Sequence, residues 1–270
     1  MIKRTLFFGN PAYLSTKNEQ LVVAYPKETQ PLKTVPIEDI GVVVLEHQQI
    51  TITNGLLEKL IRNNVAVINC DQYHMPVGLL MPLSGHTEQT ERFRNQIEAS
   101  VPLKKNLWQQ TVSIKIQNQG ALLQERGVPM RKMELWAKEV TSGDALNHEA
   151  RAAVYYWEKL FAIEGFTRGQ KGLPPNNLLN YGYDILRGIT ARAIVSSGML
   201  PTLGIFHHNK YNAYCLADDL MEPYRPFVDR IVCQIMENEN SISELTAAIF
   251  RSNRVSVGKS KNTRIHILLY

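Results

Sequence analysis

Residues 203–226 read LGIFHHNKYNAYCLADDLMEPYRP, a short and largely apolar stretch that holds an imidazole and three carboxylates. The candidates are one of His207 and His208, together with Asp218, Asp219 and Glu222. Asp219 and Glu222 are three positions apart, so on a helix both carboxylates leave the same face. Carboxylates held together in partly apolar surroundings repel one another unless one is protonated or a cation lies between them. An imidazole among oxygen donors suits magnesium or manganese better than a thiolate-bound zinc. The competing reading makes the acids the wet side of an amphipathic helix and the histidine a loop residue, as in most acidic clusters.

A second segment shifts that balance. Residues 147–157 read NHEARAAVYYW and are followed by Phe161. Ala150, Ala153, Val154, Trp157, Leu160 and Phe161 recur at helical spacing, which predicts a helix facing a core. Glu149 borders that stripe, and a carboxylate there needs a partner, which a metal ion would supply. The plainer alternative is an acidic residue favoured by the helix N-terminus.

These residues need elements to position them, and the chain shows two regimes. Up to about residue 80 it is rich in β-branched residues and short apolar runs, notably 21–24, 42–45, 50–53 and 65–68, punctuated by Gly, Pro and Asn. One helix, 55–63, intrudes there. Residues 76–85 resemble a linker. Helical patterns then follow at 88–100, 103–126, 132–140, 147–163, 175–197 and 217–237. The fold class expected is α+β: a β-rich domain over 1–80, a linker over 81–87, and a larger all-α catalytic domain over 88–270 that carries every candidate ligand.

Composition allows this and removes other classes. A chain of 270 residues with 44% hydrophobic content can build one large core or two modest ones. No apolar stretch approaches the roughly 20 residues that span a bilayer, and the opening MIKRTLFFGNP is broken too early for a signal peptide. Cys70, Cys215 and Cys233 form no CxxC pair, which speaks against a disulfide framework or structural zinc and fits a reducing cytoplasm. The net charge of +5 is concentrated: no acid follows Glu244, whereas Arg251, Arg254, Lys259, Lys261 and Arg264 do. That tail is either a phosphate-binding surface or a solvated terminus. His47, His74 and His86 are isolated, and Trp108, Trp136 and Trp157 read as core.

Three blocks in order carry a family resemblance: EARAAVYYW with the following Phe161, PNNLLNYGYDILRGITARAIVSSGMLPTLGIFH, and LADDLMEPYRP. They resemble the CRISPR-associated integrase family of spacer acquisition, in its type II branch. Residues 38–78 resemble that family's β-domain more weakly, and the likeness extends over about residues 1–258. The ending NTRIHILLY departs from the helix and short tail usual in the family.

The resemblance implies a magnesium or manganese site built from Glu149, His207 and Glu222, with Asp219 as an auxiliary carboxylate. It aligns Gly204-Ile205-Phe206 with the family's pattern before the ligand histidine, which selects His207 over His208. It implies a homodimer that docks, through the β-domain, on a small ferredoxin-like partner dimer. The reaction implied is insertion of short double-stranded DNA fragments into the CRISPR repeat, by attack of a 3′-hydroxyl on a phosphodiester. Asn180, Tyr181 and Tyr183 are expected to pack or to orient ligands. Two further classes keep the same residues in other roles: a metal-dependent nuclease or phosphodiesterase without integration, and a non-catalytic DNA-binding scaffold indifferent to loss of the carboxylates.

Overall fold

Val42, Val43 and Val44 lie at the centre of Ile40–Leu45, and all six residues of that run are buried, the pattern of a strand covered on both faces. The computed structural model describes residues 3–26, 31–161, 163–169, 172 and 174–237. The described residues divide between two compact units, one ending at Gly85 and the other beginning at His86.

The first unit holds strands β1 (Arg4–Phe8), β2 (Ala12–Lys17), β3 (Gln20–Ala24), β4 (Lys33–Pro36), β5 (Ile40–Leu45), β6 (Ile50–Ile52), β7 (Ala66–Cys70) and β8 (Pro76–Leu80). They form two four-stranded sheets, ordered β1-β5-β7-β8 and β4-β3-β2-β6. β1, β5 and β7 run parallel, so α1 (Asn54–Arg62) lies in the crossover between β5 and β7. Thr53 caps α1 by accepting the Leu56 N–H, and Leu56 and Leu60 bury its apolar face. β2 and β3 form a hairpin turned by Asn18 and Glu19, both at positive φ. The core combines Leu14, Leu21 and Val23 of one sheet with Val43 and Val67 of the other.

One expectation fails here. Residues 76–80 are no linker but β8, antiparallel to β7 at the sheet edge. Pro76 stands at the first position of that strand, where a missing N–H does little harm.

The second unit is helical: α2 (Gln89–Ile97), α3 (Val101–Glu125), α4 (Arg131–Glu139), α5 (His148–Leu160), α6 (Asn176–Ser196), α7 (Cys215–Met221) and α8 (Arg225–Glu237). Ser100 caps α3 and Pro102 occupies its first turn. Trp108, Val112, Ile116 and Leu123 of α3 pack with Met133 of α4 and with Ala152, Tyr156 and Leu160 of α5.

Two details differ from the sequence reading. The stretch 217–237 is not one helix, because a 3-10 turn, Glu222–Tyr224, separates α7 from α8. Pro223 has no N–H for the carbonyl of residue 219 and its ring crowds that carbonyl, so the α-helix stops. The buried line of α5 is His148, Ala152, Tyr156 and Leu160, whereas Ala150 and Val154 face solvent. Counting Ala and Val as the stripe hid Tyr156, whose hydroxyl donates to the buried Asp229.

Candidate active site

Glu149 sits in the first turn of α5, and a residue outside any sequence motif fixes that turn. Asp144 accepts the N–H groups of His148 and Glu149, each at 2.9 Å, so its carboxylate caps the helix that presents Glu149. Asp144 occupies a positive φ, just after Gly143.

Glu222 opens the 3-10 turn and is buried. Its Oε1 pairs with Arg225 Nε at 3.0 Å, and its Oε2 lies 2.6 Å from Lys115 Nζ. Lys115 reaches from α3 and donates a hydrogen bond to Glu149 Oε1 at 2.6 Å. Carboxylates from two separate helical segments thus converge on one positive charge. Burial works against the charge on Lys115, but the facing Glu222 and Glu149 carboxylates outweigh it and leave its pKa raised. Arg225 is likewise held charged against burial, chiefly by Glu222. Asn118 Nδ2, one turn along α3 from Lys115, donates to the Pro223 carbonyl at 2.7 Å and ties the turn to the helix.

His207 stands on the loop between α6 and α7. Asp219, fully buried on α7, holds that loop: it accepts Ile205 N–H at 2.7 Å, Phe206 N–H at 2.9 Å and His207 N–H at 3.3 Å, and pairs with His207 Nδ1. Gly204 makes the wrap possible, since a Cβ there would meet the His207 carbonyl at 2.3 Å and Asp219 Oδ2 at 2.8 Å. Behind the loop, Trp108 stacks flat on Phe206 at 4.2 Å and meets the His207 ring edge-on at 5.7 Å. With Nδ1–H donating to Asp219, a neutral His207 offers the Nε2 lone pair outward. The hydrogen bond to Asp219 raises the His207 pKa, burial opposes it, and Asp219, Glu222 and Glu149 add to the rise. A cavity of about 310 Å³ opens beside this ring, lined among others by Lys104, His207, His208, Asn209 and Lys210.

Glu149 and Glu222 are therefore joined through Lys115, and His207 lies within electrostatic reach of both. Asp219 is engaged by the loop that carries His207. Asp218 is tied to Arg187 Nε at 2.6 Å and to Asn212 Nδ2 at 2.6 Å, away from the lysine that Glu149 and Glu222 share. His208 is exposed. The acids are not the wet face of a helix, since Asp218, Asp219 and Glu222 are all buried. Tyr183 packs inward and gives its hydroxyl to Asp229, while Asn180 accepts from Arg168. Arg251, Arg254, Lys259, Lys261 and Arg264 lie outside the described residues.

Among the described residues, no group of three or more His, Cys, Asp or Glu side chains is placed to hold a metal ion. The donor set nevertheless suits a hard divalent ion: two carboxylates already share one cation, and a histidine is oriented by a carboxylate behind it. The residues that sequence reasoning missed are Lys115, Asp144 and Arg225. Only the three-residue spacing of Arg225 from Glu222, an i,i+3 pair, offered any hint, and Lys115 offered none.

Comparison with known proteins places the chain in a family. The family described as CRISPR associated protein Cas1 matches residues 6–250. The CRISPR-associated endonuclease Cas1 of Neisseria meningitidis serogroup C (strain 8013) is 38% identical over 251 residues, 92% of this chain and 81% of that protein. A Cas1 protein from Thermotoga maritima shares the fold with a TM-score of 0.68 at 18% identity, covering 94% of this chain and 91% of that one. A casposase bound to its integration product has a TM-score of 0.67 at 21% identity, over 88% of this chain and 73% of that one. No helix among the described residues is long and apolar enough to cross a membrane.

Proposed function

Since this chain belongs to the CRISPR-associated protein Cas1 family, we propose that it is a divalent-metal-dependent DNA integrase and endonuclease of CRISPR adaptation. The observation that carries the reading is the convergence of Glu149 and Glu222 on one cation beside a histidine held by Asp219. Glu149, Glu222 and His207 Nε2 would hold magnesium or manganese. Bound there, the ion supplies Lewis-acid activation of a hydroxyl and shields charge on the phosphoryl oxygens.

The chain's own residues do the rest. Asp219 locks the His207 ring and its loop, so the Nε2 lone pair needs no reorganisation. Asp144 and Arg225 fix the two glutamates. Lys104 and Lys210 line the cavity beside His207 and present positive charge to a DNA backbone. In the step itself, the 3′-oxygen of a DNA fragment forms a bond to phosphorus at the repeat boundary. The bond from phosphorus to the 3′-oxygen of the repeat strand breaks, and that oxygen leaves as a new 3′-hydroxyl with the proton the nucleophile gave up. Water in place of the fragment gives cleavage. His207 is the ligand of the histidine pair, because Asp219 orients it whereas His208 is exposed.

The family likeness supports, as further proposals, the type II branch, a homodimer, docking of residues 1–80 on a small ferredoxin-like partner dimer, double-stranded fragment and repeat DNA as substrates, and a cytoplasmic location. The tail residues Arg251, Arg254, Lys259, Lys261 and Arg264 would bind backbone without sequence preference. Neutralising two of them should lower the slope of log affinity against log salt by about 2 on duplex DNA.

The test is a joining assay with a labelled fragment and repeat-containing duplex, in manganese or magnesium. Joined product supports the integrase. Cutting without joining favours the nuclease, and DNA binding that persists without any metal-dependent chemistry favours the scaffold.

A further inference from the structure

The charge balance of the site points to one more residue. Glu149 and Glu222 contribute two negative charges, and Lys115 and Arg225 supply two positive ones, so the cluster is neutral as it stands. Arg225 is fixed by its stack over the Tyr183 ring, 4.6 Å from the centroid, and pairs with the outer oxygen Oε1 of Glu222. Lys115 differs. It takes one oxygen from each glutamate, Glu149 Oε1 and Glu222 Oε2, both at 2.6 Å. An ion held by both glutamates would compete with that ammonium for them. Both cations on the same oxygens would repel each other at contact distance in a buried site. An ammonium on a four-carbon stem is a mobile point charge, unlike the planar fork of Arg225.

We propose that Lys115 is a positioning residue and resident counter-cation: it holds Glu149 and Glu222 in register in the metal-free protein, and a divalent ion binds only by displacing it. The inference rests on the metal-site reading above. It makes Lys115 both a scaffold for the free enzyme and a competitor of the ion. A phosphodiester entering from the cavity then gives the displaced ammonium a new anion to meet.

Manganese binding is measured by calorimetry on the wild-type chain, Lys115→Met, Lys115→Gln and Glu149→Gln, with thermal midpoints for each. Lys115→Met should bind manganese about tenfold or more tightly than wild type, as expected when one like charge is removed within a few ångström. Its metal-free midpoint should be lower than wild type, because the buried Glu222 and the half-buried Glu149 lose a cation, and manganese should restore it. In the wild-type chain, manganese should speed acetylation of the Lys115 amine, read by mass spectrometry, which holds the test open even where both variants fold poorly. Equal or weaker binding by the two Lys115 variants, or wild-type labelling that is unchanged or slowed, overturns the proposal. Wild-type binding that Glu149→Gln abolishes, with Lys115 variants unchanged, sinks the Lys115 role alone. Absence of binding in wild type sinks the metal-site reading and this inference together.

Discussion

Glu222 and Asp229 are buried acids seven residues apart, and the protein meets their charges by opposite means. Asp229 on α8 accepts the hydroxyls of Tyr156, at 2.7 Å, and Tyr183, and burial pushes its pKa up to about 6. It in turn helps keep both tyrosines well above their usual pKa, although burial is the larger cause. Glu222 is met by two cations, Lys115 and Arg225. The difference separates structure from function. An acid satisfied by hydroxyls on α5 and α6 ties helices together and has nothing to exchange. On the proposed metal-site reading, an acid satisfied by a mobile ammonium sits where another cation would bind.

The comparison predicts effects of graded size. Glu222→Gln, Glu149→Gln and His207→Ala should each cut fragment joining by about a hundredfold or more while the far-ultraviolet circular dichroism stays native. Near-normal joining by any one of them removes that residue from the site.

Asp219→Asn should lower manganese affinity by about 10–100-fold, since it acts through the ligand's orientation. It should also move the pH dependence. His207 has a raised pKa, so protons compete with the metal at and below that value, and metal binding strengthens as pH rises through it. Losing the carboxylate should shift that midpoint to lower pH, and an unmoved midpoint would show that Asp219 does not govern the His207 ring.

Asp229→Asn should act on stability and hardly on joining. The native Asp229 pKa of about 6 exceeds the ordinary value of 3.8, so between them the folded state holds more protons than the unfolded one. Stability from this group is therefore greatest in acid and falls as pH rises towards about 6. Denaturant midpoints across that window should lose this slope in Asp229→Asn. A large joining defect in the folded variant would break the distinction between the two acids.

The smallest effect belongs to Phe206→Ala. Loss of the flat stack on Trp108 should cost about 0.5–1.5 kcal/mol of stability and leave joining within about threefold of wild type, provided that Asp219 alone holds the loop.

Much of this was legible in the sequence, for local reasons. Helices α3, α5 and α6 announce themselves by period, caps and length, and their ends fall within a few residues of those expected. β5 and β7 are visible as runs of Val and Ile. β1, β2, β4 and β8 are not, because short half-buried strands such as Lys33–Pro36 owe their form to pairing with neighbours far along the chain. Glu149 and Glu222 were singled out by motif and chemistry, and His207 over His208 by the family resemblance alone; the structure brings the two glutamates to one lysine. Lys115 was not legible: one lysine among the 30 basic residues looks like any other until α3 carries it between two glutamates 34 and 107 positions away. Asp219 was read as an auxiliary ligand, and its work as a clamp on three backbone N–H groups depends on a loop shape that spacing does not encode.

The central claim is that Glu149, His207 and Glu222 share one divalent ion. Crystals of the protein soaked in manganese, with anomalous scattering recorded at the manganese edge, test it most directly. The account predicts one strong peak bonded to Glu149, Glu222 and His207 Nε2, with Lys115 moved off both carboxylates. A peak elsewhere in the molecule, or Lys115 still bridging the glutamates at a saturating soak, would contradict it.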